Sequence, residues 1–240
     1  MRRRDLLTGT AVVLVSSTLA PAQALTGALP WHPDAGTPPQ PVEPGAWKFF
    51  TAAEAAAVEA AVDRIIPPDP QTPGGKDAGC AVFIDRQLAD GYGQDRGLYD
   101  SGPFQKGSKQ QGPQSQSPPA ARYRAALAAL DRYCHSADGG GRPFAELALQ
   151  RQDEVLKGLE AGTVELAGVD GKAFFEQLLK DTQQGFFADP IYGGNRDMCA
   201  WKMIGFPGAR YDYRDWVGRH NERYPHPPVS IAGAPGWKPA

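Results

Sequence analysis

Apolar residues recur every three or four positions over long stretches of the chain, which is the spacing of amphipathic α-helices. The first helix is predicted to begin after Thr51, where Glu54 three residues on completes a capping box, and to stop at the following Pro-Pro pair. A shorter second helix is predicted from Cys80 to near Gly91, because apolar residues continue there at four-residue intervals.

Four more helices are predicted from the same spacing. They cover residues 120–134, residues 143–162 with Pro143 as the first helical position, residues 170–187, and about nine residues capped by Asn195 and stopped by Gly205. Strand signals are scarce, because no alternating run with hairpin turns appears. The sequence therefore predicts an all-α fold of about six helices with long ordered loops.

Composition divides the chain into parts. Residues 1–24 have the basic start, apolar stretch and small-residue cleavage site of an export signal. Residues 25–47 form a Pro-rich arm, residues 48–218 hold the helical domain, and residues 219–240 form a Pro-rich C-terminal tail. Within the helical domain, residues 91–119 are rich in Gly, Gln, Ser and Pro, and we expect them to become ordered only where a partner covers them.

The export signal has the pattern of the twin-arginine route. Arg3 and Arg4 precede Leu6 and Leu7, and the apolar stretch that follows is diluted by Thr, Gly and Ser. The alternative is an ordinary secretory leader. Since the twin-arginine route carries folded cargo, we expect the protein to be exported to the periplasm after it has folded.

Charge and hydropathy exclude two classes of partner. The formal net charge is -2, so the chain lacks the basic field that nucleic acids or anionic membrane surfaces attract. No stretch after the leader is long and apolar enough to span a bilayer. We therefore expect the exported chain to meet the membrane only through its partners.

One segment, residues 189–208, is unusually dense in Gly, Pro and aromatic residues. Apolar side chains surround almost the whole circumference of its predicted helix, so the helix must be covered on more than one side. It is either the central helix of the domain's own core, or a helix with one face inward and the other against a second protein. Since aromatic anchors dominate binding patches, we predict a partner interface that includes five residues. These are Phe187, Tyr192, Asn195, Trp201 and Phe206.

Familiar catalytic and cofactor motifs are absent from the sequence. There is no Gly-x-Gly-x-x-Gly loop, no Cys-x-x-Cys-His haem site and no His-Glu-x-x-His zinc site. None of the four histidines has a visible orienting partner. The sequence therefore predicts no catalytic, cofactor-binding or metal-binding residue on this chain.

Several segments together resemble the gluconate 2-dehydrogenase subunit 3 family. They are "FFADPIYGGNRDMCAWKMIGFPG", the preceding "AFFEQLLKDTQQG", the earlier "RIIPPDPQTPGGKDAG" and the twin-arginine leader. The stretch "LYDSGPFQKGSKQQGPQ" resembles the longer, gluconate-type members. The similarity extends from about Phe49 to Trp216.

The resemblance implies a complex of three subunits in the periplasm, attached to the inner membrane. Its other members would be a large flavoprotein of the glucose-methanol-choline type, which binds FAD, and a multihaem cytochrome c. The large subunit of such complexes commonly lacks its own export signal. The small chain would then serve as folding partner, export escort and scaffold for the flavoprotein, without catalysing the reaction itself.

The three cysteines, Cys80, Cys134 and Cys199, form an odd number, so in an exported protein at least one is free or bonded to another chain. Cys80 and Cys134 lie on apolar helix faces, where buried thiols and a mutual disulfide both fit. For Cys199 we hypothesise a disulfide with the flavoprotein, and the alternative is a buried thiol.

A rival interpretation comes from another functional class. The chain would be a free-standing exported enzyme or a small-ligand-binding protein, with a pocket around Asp189, Asn195 and Asp197. An escort should be poorly stable without its flavoprotein, whereas the rival should be a well-behaved monomer that binds a small ligand.

Overall fold

The structure is a computed structural model that describes residues 42, 45–96, 107–108, 117–136, 138–210 and 213–233. Most of the Pro-rich arm and much of the polar excursion lie outside the described residues. So do the four residues of the predicted export signal, Arg3, Arg4, Leu6 and Leu7.

The described ranges contain six α-helices and no β-strand beyond isolated bridges, which confirms the all-α prediction. The helices are α1 (Ala52–Ile65), α2 (Cys80–Ala89), α3 (Pro119–His135), α4 (Leu149–Ala161), α5 (Gly171–Phe187) and α6 (Cys199–Ile204). The contacts between residues divide the described part of the chain into two compact units. One unit contains residues 42–209 with 223–233, and the other contains residues 210–222.

The predicted capping box is present at the start of α1. The backbone N–H of Thr51 donates to the Glu54 carboxylate at 2.8 Å, and the Glu54 N–H donates to the Thr51 hydroxyl at 3.3 Å. Two backbone donors that the helix itself leaves unpaired are thus satisfied, so the helix begins where the sequence predicts.

Helix α5 is central to the first unit, because it packs against α1, α2, α3 and α4. Its N-cap Asp170 accepts a hydrogen bond from the N–H of Ala173 at 3.0 Å. The apolar face that the sequence predicts is buried, and it forms one continuous core with the other helices. The large apolar side chains that this core buries almost completely include Ile84, Leu88, Phe144, Leu159 and Leu178.

The predicted start of the fourth helix at Pro143 is wrong. A 3-10 turn occupies Phe144–Glu146, and α4 begins only at Leu149 because Ala148 before it is extended. The side-chain amide of buried Gln152 donates to the carbonyl oxygen of Phe144 at 3.0 Å. The Gln152 side chain thus gives the Phe144 carbonyl oxygen a donor that a backbone N–H would supply in a continuous helix. The predicted end at Gly162 is confirmed by its left-handed φ of 72°.

A buried carboxylate fastens the end of the Pro-rich arm to α2. Asp85 accepts hydrogen bonds from the backbone N–H groups of Lys48, Phe49 and Phe50, each at 2.9 Å. It also pairs with Arg86, whose guanidinium donates to the carbonyl oxygen of residue 46 at 3.2 Å. Both side chains are buried, the Asp85 carboxylate completely. The last residues before α1 are therefore a fixed part of the domain.

The second unit holds a 3-10 turn at Arg214–Trp216. The guanidinium of Arg219 lies 4.6 Å from the centroid of the Trp216 ring, as in a cation–π contact. No helix among the described residues combines the length and the apolar character that crossing a bilayer requires.

Candidate functional site

The glycines of the dense segment allow its backbone to lie directly on two helices. A Cβ atom at Gly194 would come within 2.1 Å of the Gly185 carbonyl oxygen in α5. Gly193 has a φ of 94°, and its carbonyl oxygen would be 2.5 Å from a Cβ at Gly79, just before α2. Only glycine permits such contacts. The density of the segment is therefore explained first by close packing within this chain.

Asn195 is fully buried at the end of this close contact. Its side-chain amide donates to the carbonyl oxygen of Ala188 at 2.8 Å, and its oxygen accepts from the N–H of Ala200 at 2.9 Å. The residue adopts a left-handed φ of 44°, which asparagine tolerates better than most residues. The side chain thus joins the end of α5 to the first turn of α6.

The predicted nine-residue helix after Asn195 is wrong. Residues Arg196–Met198 form a 3-10 turn, and α6 has only six residues. Asp197 and Met198 have φ values of 54° and 55°, which no α-helix accommodates. The helix begins late because the Asn195 oxygen is fixed on Ala200, so the chain between them must turn tightly.

Trp201 is covered by its own chain. The residue is 6% exposed, its indole N–H donates to the Phe187 carbonyl oxygen at 2.9 Å, and its ring meets Phe206 edge-on at 5.1 Å between centroids. The indole therefore joins the last residue of α5 to the turn after α6. Because Trp201 and Asn195 are buried, they could contribute to a partner interface only by holding exposed residues in place. The predicted interface itself stays a prediction.

Four large apolar side chains around α6 are exposed, and we call them the apolar patch. Phe187 is 43% exposed, Met203 51%, Ile204 57% and Phe206 44%. Phe187 ends α5, Met203 and Ile204 end α6, and Phe206 lies just beyond. Sequence analysis named the two phenylalanines but not Met203 or Ile204. Because the predicted helix is apolar around almost its whole circumference, the sequence predicts that some of its apolar residues are exposed. It does not predict which ones.

The other predicted interface residue, Tyr192, is half-buried and packs against the domain's core.

The three cysteines are free thiols in the structure. Burial raises the pKa of Cys80 to about 12 and that of Cys134 to about 11. Cys199 is half-buried, with its thiol 3.8 Å from the Asn195 oxygen, and burial raises its pKa too. Since the thiolate is the reactive form, all three are poor nucleophiles in the isolated chain. The disulfide between Cys199 and another chain stays a prediction.

The residues of the rival pocket, Asp189, Asn195 and Asp197, line neither of the two cavities described below. Asp189 accepts hydrogen bonds from Ile191, Ser230 and Ile231, and the Asn195 oxygen is engaged by Ala200. A small cavity of about 20 Å³ lies between α2 and α5 beside Tyr92 and Asp181. That volume suits about one water molecule. A second, shallow depression of about 340 Å³ follows the loop of residues 162–172.

Beside the small cavity, a polar cluster around buried Asp181 joins three parts of the domain. Asp181 of α5 accepts hydrogen bonds from the hydroxyls of Tyr123 at 2.8 Å and Tyr92 at 3.0 Å. Burial raises the pKa of Asp181 although both hydroxyls oppose the shift, and burial beside this carboxylate raises the pKa values of the two tyrosines. Sequence analysis missed both Asp181 and Asp85. The signal was present in each case as a carboxylate next to the apolar face of a helix.

No three His, Cys, Asp or Glu side chains within the described ranges gather as metal ligands do.

Comparison with curated proteins gives no significant match, and neither does comparison with solved structures. A family model described as Gluconate 2-dehydrogenase subunit 3 matches residues 52–208, which is well over half of the chain. The match begins at the first residue of α1 and ends two residues beyond the apolar patch. The chain therefore belongs to the gluconate 2-dehydrogenase subunit 3 family.

Proposed function

We propose that this chain is the non-catalytic small subunit of a periplasmic, membrane-associated dehydrogenase complex of the gluconate 2-dehydrogenase type. It serves there as folding partner, export escort and scaffold for a large flavoprotein subunit. Membership of the family implies that the chain is one subunit of a multi-subunit complex and so has partners. The apolar patch is the observation that best supports a partner surface on this chain.

The patch has the character of a binding surface. Four large apolar side chains, each about half exposed, are gathered at the end of α5 and around α6. Contiguous apolar patches on otherwise polar proteins mark interaction sites more often than chance. Covering the exposed halves of these side chains would contribute about 3 to 6 kcal/mol to binding. That is enough to anchor an interface to which polar contacts add specificity.

The patch also stands on a stiff support. Trp201 links its two phenylalanines, and Asn195 fixes the start of α6 to the end of α5. A surface that keeps its shape before binding loses less conformational entropy when the partner arrives. The buried aromatic and amide that sequence analysis assigned to the interface thus act as its foundation in this proposal.

The partner in this proposal is the large flavoprotein of the glucose-methanol-choline type, which carries FAD. A multihaem cytochrome c, which carries haem c, completes the complex. The cofactors and the substrate site belong to those chains, and this chain's own residues contribute binding surface.

Copurification tests the proposal. The chain is produced with an affinity tag in its source cells, and the retained proteins are identified by mass spectrometry and by flavin absorbance. We expect the wild-type chain to retain a flavoprotein, and the double variant Met203→Lys, Ile204→Lys to lose it. Leu149→Lys is the matched control, because Leu149 is also an exposed apolar residue, 62% exposed, but lies at the start of α4.

Retention of the flavoprotein by the double variant at the wild-type level would refute the assigned surface. A wild-type chain that is a stable monomer, retains no flavoprotein and binds a small ligand would favour the rival interpretation instead.

Export is tested separately from binding. We expect the double variant Arg3→Lys, Arg4→Lys to leave both this chain and the flavoprotein in the cytoplasm, because one signal would serve both. Full periplasmic activity of the flavoprotein in that strain would contradict the escort role. Non-reducing electrophoresis of the purified complex tests the disulfide of Cys199, and separation of the two subunits without reductant would rule it out.

A further inference from the structure

Residues 229–231 of the C-terminal tail are hydrogen-bonded to the helical domain. Val229 and Ser230 are buried, although they lie in the segment that the sequence predicts to be a Pro-rich C-terminal tail. The Ser230 hydroxyl accepts from the N–H of Ala232 at 3.1 Å, and the Gly233 N–H donates to the Ser230 carbonyl oxygen at 2.9 Å. The segment therefore ends in a tight turn.

One set of bonds joins this segment to the residues that follow α5. The Ser230 hydroxyl donates to the Asp189 carboxylate at 2.6 Å, and the N–H of Ile231 donates to the second carboxylate oxygen at 2.8 Å. Asp189 stands only two residues after Phe187, the patch residue that ends α5. Hydrogen bonds to an ionised acceptor are stronger than those between neutral groups.

A second set joins the same segment to the residues that follow α6. The Val229 N–H donates to the carbonyl oxygen of Pro207 at 3.2 Å, and the N–H of Ala209 donates to the Val229 carbonyl oxygen at 2.7 Å. Between them, Gly208 has a φ of 76°, and a Cβ atom there would come within 2.2 Å of the Val229 oxygen. Pro207 directly follows Phe206, another patch residue.

The tail segment thus connects the two stretches of chain that carry the patch, at the ends where they leave it. Trp201 also connects the same two stretches, through the Phe187 carbonyl oxygen and the Phe206 ring. We propose that residues 229–231 are a brace that fixes the position of Phe206 relative to Phe187, and so gives the apolar patch the shape that the partner binds. This inference rests on the proposed function of the patch.

The brace limits the conformations that the stretch after α6 can adopt. The stretch after α6 begins with Gly205 at a φ of 70°, a residue that allows the chain to turn in many directions. The Trp201 ring and the tail's backbone bonds both restrain the Phe206 side. Two further backbone bonds at residues 207–209 reduce the number of arrangements that binding has to select, which raises the affinity.

Two mild variants test the brace in the full-length chain. Ser230→Ala removes the hydroxyl between Asp189 and Ala232, and Asp189→Asn removes the carboxylate oxygen that faces the Ile231 N–H. Asp90→Asn is the matched control, because Asp90 is exposed at the end of α2 and its side chain caps no helix. Hydrogen exchange at single amides is measured on the isolated protein, and flavoprotein retention is measured by copurification.

We expect both variants to speed exchange at the amides of Ala209 and Ile231 about fivefold, the effect of one lost hydrogen bond. Flavoprotein retention should fall by a similar factor, while core amides such as that of Leu178 exchange as in the wild type. The control should change neither quantity.

Unchanged exchange at Ala209 in both variants would show that the tail does not hold the patch. Faster exchange with undiminished retention would show that the brace does not position the patch for binding. Either result overturns the inference and leaves the proposed function standing. The proposed function fails by a different result, namely no flavoprotein on the wild-type chain.

Discussion

Replacing Asp85 by Ala should destabilise the isolated chain severely. The carboxylate is fully buried, accepts three backbone N–H groups at 2.9 Å and pairs with Arg86. Alanine would leave those donors without an acceptor and the buried guanidinium of Arg86 without its counter-charge. The destabilisation follows from what remains in the core as much as from the bonds that are lost.

The magnitude follows from measured cases of this kind. Removing one partner of a buried ion pair costs about 3 to 5 kcal/mol, because the other charge stays buried and uncompensated. For a domain of this size, each kcal/mol lowers the melting temperature by about 2 to 4 °C. The Asp85→Ala variant should therefore melt about 6 to 20 °C below the wild type.

The assay is thermal unfolding of the purified chain followed by circular dichroism, with urea unfolding for the free energy. Asp90→Ala, at the exposed end of the same helix, serves as control and should melt within about 1 °C of the wild type. Adding Arg86→Met to Asp85→Ala should restore part of the loss, because it removes the uncompensated charge. An Asp85→Ala variant that melts with the wild type, or a double variant that is worse than the single one, would refute this reasoning.

Three further substitutions have defined outcomes in the same unfolding assay. Asp181→Asn should remove a pH dependence of the free energy of unfolding. Burial raises the pKa of this carboxyl in the folded state. Its contribution to stability is therefore present below the unfolded pKa and is lost as the pH rises through the folded pKa. Parallel curves for variant and wild type from about pH 4 to about pH 7 would contradict this. Trp201→Phe should cost about 1 to 3 kcal/mol, because it deletes the N–H that the Phe187 carbonyl oxygen accepts, and an unchanged free energy of unfolding would contradict the assignment. Gly194→Ala should cost about 1 to 3 kcal/mol or more, since its Cβ would come within 2.1 Å of Gly185, and wild-type stability would show that the two backbones do not touch.

The helices were predictable from sequence wherever local signals decide them. The capping box at Thr51 and Glu54 and the apolar spacing through α5 placed these elements correctly. Local signals failed where a side chain five or eight residues away in sequence competes with the helix. Gln152 takes the carbonyl oxygen of Phe144, and Asn195 reaches forward to Ala200, so in both places the chain turns before it becomes helical.

The sequence indicates where exposed apolar side chains gather, but not which side chains of α6 face outward. Phe187 and Phe206 are exposed as expected, whereas Trp201 faces inward and Met203 faces outward. Periodicity in a six-residue helix cannot distinguish its sides when nearly all of its residues are apolar. The contact that decides the orientation joins Trp201 to a residue of another helix, and no local pattern announces it.

The most direct test of the account is the accessibility of Met203 in the assembled complex. Hydroxyl-radical footprinting measures side-chain oxidation in the isolated chain and in the purified complex with the flavoprotein. Met203 is 51% exposed in the isolated chain and Leu149, the internal reference, is 62% exposed. The account predicts that oxidation of Met203 falls sharply in the complex while that of Leu149 does not change. Equal oxidation of Met203 in both samples would contradict it, because the patch would then face water in the assembled enzyme.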